Sequence, residues 1–197
     1  EINLSSITIP QNVTKLGEGS FKGCSKLSFI SLPQGITTIE SETFYGCSSL
    51  NSIILPEGIT SIQSRAFQNC SSLSSIDLPN SLTEIKTYAF YNCTSLTSIS
   101  LPQGLESILR YAFAGCSNLN NITIPSSVTD IGSFAFASCG LTIVNFRARM
   151  NNIDFKGHGV IFGGCDNIQE INIPSDLPFY KSVNGIVFSK SGDEIVY

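Results

Sequence analysis

Charge is scarce in this chain. Only 13% of its 197 residues are Asp, Glu, Lys or Arg, about half the usual share, and the formal net charge is −4. A nucleic-acid partner calls for a basic stripe, and none is present. A single histidine leaves little room for acid–base chemistry. No G-x-S-x-G, H-E-x-x-H or P-loop pattern occurs, so no residue is assigned a catalytic role and no enzyme is expected. Cysteine and histidine never cluster at metal-ligand spacing, and neither a metal nor a cofactor is expected. No apolar run approaches the roughly 18 residues of a membrane span, and no basic-then-apolar leader opens the sequence. Glu1 is not an initiator methionine. The chain is therefore expected to be a processed or excised piece, and the missing leader says nothing about export.

What the chain does contain is a period. Cys24, Cys47, Cys70, Cys93, Cys116 and Cys139 are each 23 residues apart, and Cys165 follows after 26. A phenylalanine stands three residues before each one: Phe21, Phe44, Phe67, Phe90, Phe113, Phe136 and Phe162. Proline lies nine residues after most of them, at Pro33, Pro56, Pro79, Pro102, Pro125 and Pro174, and Pro10 fits a unit whose start is missing. Fixed spacing of this length is the mark of a stacked-repeat architecture.

Within one unit the apolar residues are Leu73, Ile76, Leu78, Leu82, Ile85 and Phe90, with Ala89 before the Phe. The stretch Leu73–Leu78 ends in the alternation of a half-buried strand. Pro79 stops it, because proline cannot donate to a ladder. Leu82–Ile85 predicts a second short extended piece, and Tyr88–Cys93 a single helical or 3₁₀ turn. Such a coil cannot bury its apolar side chains alone, so neighbours must cover both of its flat faces. Eight strands about 4.8 Å apart would build a sheet of roughly 40 Å.

The pattern C-S-x-L-x-x-I-x-L-P-x-x-(I/L)-T-x-I-x-x-x-A-F-x-x-C resembles the BspA-like, or Treponema-type, leucine-rich repeat over residues 1–178. The resemblance implies an α/β repeat solenoid of mostly short parallel strands: a right-handed, curved leucine-rich-repeat superhelix of about eight 23-residue coils. It also implies a secreted or cell-surface bacterial or protist protein, without catalysis, used in adhesion or protein recognition. Its partner would be a protein or peptide, a host extracellular protein among the candidates. The alternative is a rigid spacer that displays other domains and binds nothing itself.

Two stretches depart from the period. Cys139-Gly-Leu141 is one residue short, Arg147 replaces the proline, and a net insertion makes the repeat irregular over residues 140–162. Arg147, Arg149, Lys156 and His158 fall there, so this is either a tolerated surface insertion or an interaction loop. Beyond residue 178 the repeat is lost. Phe179–Phe188 and Glu194–Tyr197 flank Lys190-Ser-Gly-Asp193, which predicts a C-terminal β-hairpin over residues 179–197 with a Ser-Gly turn, expected to continue past Tyr197.

Seven cysteines at one phase, each beside the core Phe, read as a column of small buried thiols. Stacked Cα atoms about 5 Å apart also permit bridges by distance, so pairing stays open. The Asn-x-Ser/Thr sites at Asn3, Asn12, Asn69, Asn92 and Asn121 matter only where glycosylation machinery exists. Strand residues five and seven after each cysteine point away from the core and are nearly all small and polar. Phe29 and Ile54 are the exceptions in adjacent coils, with Asp77 next in line. These three form the first candidate contact site, on the expected concave face; the loop at 147–160 is the second.

Overall fold

The computed structural model describes residues 3–147 and 161–175, and the backbone of residues 180–183 and 186–189. Its strands, in chain order, are β1 (Phe29–Ser31), β2 (Thr38–Ile39), β3 (Ser52–Ile54), β4 (Ser61–Ile62), β5 (Glu84–Ile85), β6 (Ser107–Ile108), β7 (Asn121–Ile124), β8 (Asp130–Ile131), β9 (Ile143–Phe146), β10 (Glu170–Asn172), β11 (Tyr180–Val183) and β12 (Ile186–Ser189). All pairings but the last are parallel, and the chain winds as a parallel β-solenoid of about six turns, fewer than the eight coils expected. The higher count included partial units at both ends of the array.

The two extended pieces of each coil build two faces. The short rear pieces form the longest sheet, β2-β4-β5-β6-β8, in a 23-residue register that sets Ile39 against Ile62, Ile85, Ile108 and Ile131 in turn. The front ladder, expected to be continuous, is split into β1-β3 and β7-β9-β10. Ser75-Ile76-Asp77 and Ser98-Ile99-Ser100 lie between the two halves and form no strand. Residue type alone does not account for this gap, because Glu170-Ile171-Asn172 also has a single β-favouring side chain and pairs with β9.

The tight turns are not helical, and the described residues contain no helix. Two residues of each turn, four apart, have positive φ, as in Tyr88 (60°) and Asn92 (57°). That geometry breaks a helical run and aims alternate N–H groups at the next coil. Tyr88, Phe90 and Asn92 donate to Arg110, Ala112 and Ala114 at 3.1, 2.7 and 2.8 Å. Asn tolerates this conformation; for Tyr it costs about 1–2 kcal/mol. The shortened unit needs a glycine for another reason: a Cβ on Gly140 would collide with the Ser117 carbonyl oxygen.

Inside, the phenylalanines form one column. Phe21, Phe44, Phe67, Phe90, Phe113, Phe136 and Phe162 stack in sequence with centroids 5.1–5.8 Å apart. Beside them run the cysteines, all buried and unpaired. From Cys47 onward each thiol donates to the carbonyl of the Phe in the preceding coil: Cys47 to Phe21 at 3.1 Å, Cys70 to Phe44 at 3.1 Å, Cys93 to Phe67 at 3.2 Å. Burial pushes the Cys47 thiol up to about 12 and holds Cys70 and Cys93 well above the ordinary thiol range.

At the C-terminal end β11 and β12 are antiparallel, with Tyr180 opposite Ser189 and Val183 opposite Ile186. The chain thus reverses between Val183 and Ile186, inside the stretch read as a single strand. The expected turn at 190–193 and its strand at 194–197 lie outside the described residues.

Three outcomes are expected. Phe67→Ala or Phe90→Ala should lower unfolding free energy by about 3–5 kcal/mol, while deletion of one whole 23-residue unit, which keeps the register, should be milder. A harmless substitution paired with a deletion that abolishes folding would contradict the stacked architecture. Alkali tests the thiols. Unfolded thiols ionise near pH 8.5 while the buried ones stay protonated. Their contribution is therefore intact below about pH 8.5 and declines above it, by about 1.4 kcal/mol per pH unit for each fully buried thiol. Denaturation midpoints should fall above about pH 9, less steeply in Cys70→Ala. The native protein should resist thiol reagents until it unfolds; rapid labelling of most of its seven cysteines would contradict the buried column.

Candidate functional site

Because strand residues alternate between faces, the buried Ile30 and Ile53 point inward, and their neighbours on β1 and β3 point out. Phe29 is 45% exposed and Ile54 is 55% exposed. In the parallel register Phe29 faces Ser52 and Ser31 faces Ile54. The two apolar side chains are therefore diagonal neighbours on paired strands. Asp77 is exposed at the equivalent point of the next coil.

Between these coils the front ladder stops. Ser75–Leu78 make no backbone bond to β3 among the described residues; the last link is a long 3.4 Å bond from the Ser74 amide to the Asn51 carbonyl. A depression of about 240 Å³ lies at this break, walled by Ile53, Ile54 and Leu55 on one side and Asp77, Leu78 and Pro79 on the other, with Glu57 also on its lining. Phe29, Ile54 and Asp77 are thus brought onto one face, with Ile54 and Asp77 sharing a recess.

The second candidate site is only partly described. Arg147 is exposed, its amide donates to the Ile124 carbonyl at 2.8 Å, and it lines a depression of about 370 Å³ with Ser98, Ser100, Asn121 and Thr123. That recess sits at the other break of the front ladder. Arg149, Lys156 and His158 lie outside the described residues.

Three features were not among the candidate contact residues read from the sequence. Glu57 was overlooked because its column is otherwise neutral. Ile143, 37% exposed, faces Asn121 and Glu170 and is a third outward apolar residue. The third feature is a column along the turns. Lys22 Nζ is 2.6 Å from Glu42, Arg65 is 3.4 Å from Glu42, and the Arg65 guanidinium lies 5.7 Å from the Tyr88 ring centre. Tyr88, Tyr111 and Phe134 then stack at 5.0 and 5.1 Å. The Lys22 hydrogen bond holds the Glu42 carboxyl below its usual range. Residues 18 after each cysteine would have shown this column. Its charges are paired and its ring faces largely covered, which makes it a brace against the strained turns.

Comparison with known proteins agrees with the repeat fold. The sequence matches the family described as BspA type leucine-rich repeat region, in six copies, over residues 1–98 and 83–193. No curated protein sequence matches the chain. Among solved structures it is similar to a leucine-rich repeat protein from Bacteroides ovatus, at 28% identity and TM-score 0.55, over 83% of this chain and 53% of that one. It is similar in fold to the pneumococcal vaccine antigen PcpA, at 22% identity and TM-score 0.57, over 77% and 47%. A leucine-rich repeat protein from Eubacterium ventriosum aligns at 24% identity and TM-score 0.50, over 86% and 54%. The chain spans about half the length of these structures. With the repeat, the thiol–carbonyl column and the family match in agreement, the chain belongs to the BspA-type leucine-rich repeat family.

Proposed function

We propose that this chain is the recognition module of a secreted or cell-surface adhesion protein, and that a protein or peptide ligand docks on the front face around Phe29, Ile54 and Asp77. The leucine-rich repeat fold is suited to protein–protein interaction. The observation that carries the reading is the adjacent pair of exposed apolar side chains, Phe29 and Ile54, on a face built mainly of Ser, Thr and Asn. Exposed apolar clusters on soluble domains mark contact sites, and energetic anchors in interfaces are commonly large side chains of this kind. Surface placement is supported by the description of PcpA as a vaccine antigen. No catalytic step is part of the proposal. A spacer needs no such anchors, and the comparisons do not favour one.

The test is a binding screen of the chain against immobilised extracellular-matrix and plasma proteins, followed by the double variant Phe29→Ser, Ile54→Ser. The variant should weaken binding by about tenfold or more, equivalent to at least about 1.4 kcal/mol, with an unchanged unfolding midpoint. A ligand held with undiminished affinity by the double variant would move the site to the loop of Arg147, Arg149, Lys156 and His158.

A further inference from the structure

The recess beside Ile54 carries charge as well as apolar surface. Glu57 and Asp77 are both exposed and both line it. The ion pairs among the described residues involve Glu40, Glu42 and Glu84 and leave these two carboxylates out. The turn-edge column is the reverse case, with its carboxylate shared between Lys22 and Arg65. On the front face the acids are unpaired, the apolar residues are uncovered, and the ladder is broken at the point where they meet.

We propose that the ligand of this face is an extended polypeptide segment bearing a Lys or Arg next to an apolar side chain on the same side of its strand. The basic group seats in the recess between Glu57 and Asp77, and the apolar group packs on Ile54 and Phe29. The inference rests on the docking reading above and adds the chemistry of the partner. In an extended segment, side chains that share a face are two residues and about 6.8 Å apart. Ile54 and Asp77 hold equivalent positions in successive coils and line the same recess as Glu57, so the apolar and acidic subsites adjoin within one or two strand spacings of about 4.8 Å. A volume of about 240 Å³ is several times the roughly 30 Å³ share of one water, so the recess can admit a side-chain head group. Attraction between exposed charges falls with ionic strength, and binding should do the same.

The probe is a random peptide library displayed on phage. It is selected in parallel on the wild type, on Phe29→Ser with Ile54→Ser, on Glu57→Gln with Asp77→Asn, and on Glu106→Gln with Asp130→Asn. The last pair removes two exposed acids of the rear-facing pieces and equals the recess variant in charge. Peptides that prefer the wild type should be enriched in Lys or Arg two residues from an apolar residue. Their affinity should drop about tenfold or more in Glu57→Gln with Asp77→Asn, stay within about twofold in the rear-face variant, and weaken with added salt. Equal losses in the recess and rear-face variants would mean attraction to net charge alone and would overturn the proposal. Peptides that depend on Phe29 and Ile54 but not on Glu57 and Asp77 would overturn it while leaving the docking reading intact. If no recovered peptide prefers the wild type over Phe29→Ser with Ile54→Ser, the docking reading falls too.

Discussion

A coil of this chain has no interior of its own. Its Phe, its thiol and its leucines lie in a flat layer whose two sides must be covered by the coils before and after. The 23-residue register makes that cover repeat: each Phe ring meets the next ring at 5.1–5.8 Å, and each Phe amide reaches the next coil's backbone, as Phe67 does to Ala89 at 2.8 Å. The buried Ala66, Ala89, Ala112 and Ala135 sit beside the rings. In the first full turn Thr43 replaces the alanine, and its hydroxyl donates to the Glu40 carbonyl at 2.8 Å, so burial leaves no orphaned donor. Stability in such an array is a sum of coil and neighbour terms, and the neighbour term dominates here.

The same register turns every position of the repeat into a column, and function resides where a column is interrupted. The rear pieces pair in five consecutive coils. Threonine hydroxyls add to that side: Thr60 and Thr83 donate to the carbonyls one coil back at 3.3 and 3.1 Å. The front pieces pair in two groups, β1-β3 and β7-β9-β10, and not in the coils between them. The breaks open recesses on a face that the continuous rear sheet keeps rigid. Apolar and acidic residues at the first break, and Arg147 at the second, give one otherwise uniform surface two different chemistries.

Much of this was legible in the residues. The spacing of Phe and Cys locates the core column, and strand alternation alone places Phe29 and Ile54 outside. The helical or 3₁₀ reading of Tyr88–Cys93 failed because positive φ at Tyr88, Tyr111 and Phe134 leaves no mark in residue type; those side chains are held in place by stacking between coils, a tertiary effect. The unpaired stretch at Ser75–Asp77 was hidden for the opposite reason. The period predicts the same strand in every coil, and residue content does not mark the gap, since Glu170-Ile171-Asn172 pairs with no more β-favouring side chains than Ser75-Ile76-Asp77 has. Glu57 was invisible because a charge in one coil means little until the recess beside it is known.

The central claim, that each coil is held chiefly by its neighbours, is tested most directly by native-state hydrogen exchange. The amides of Phe67, Phe90 and Phe113 donate to the coil that follows them, at 2.8, 2.7 and 2.7 Å. Their protection should therefore exceed that of the Phe21 amide, near the end of the stack, and should equal the free energy of cooperative unfolding of several coils. Uniform protection along the column, or central amides that exchange by local opening as readily as Phe21, would contradict it.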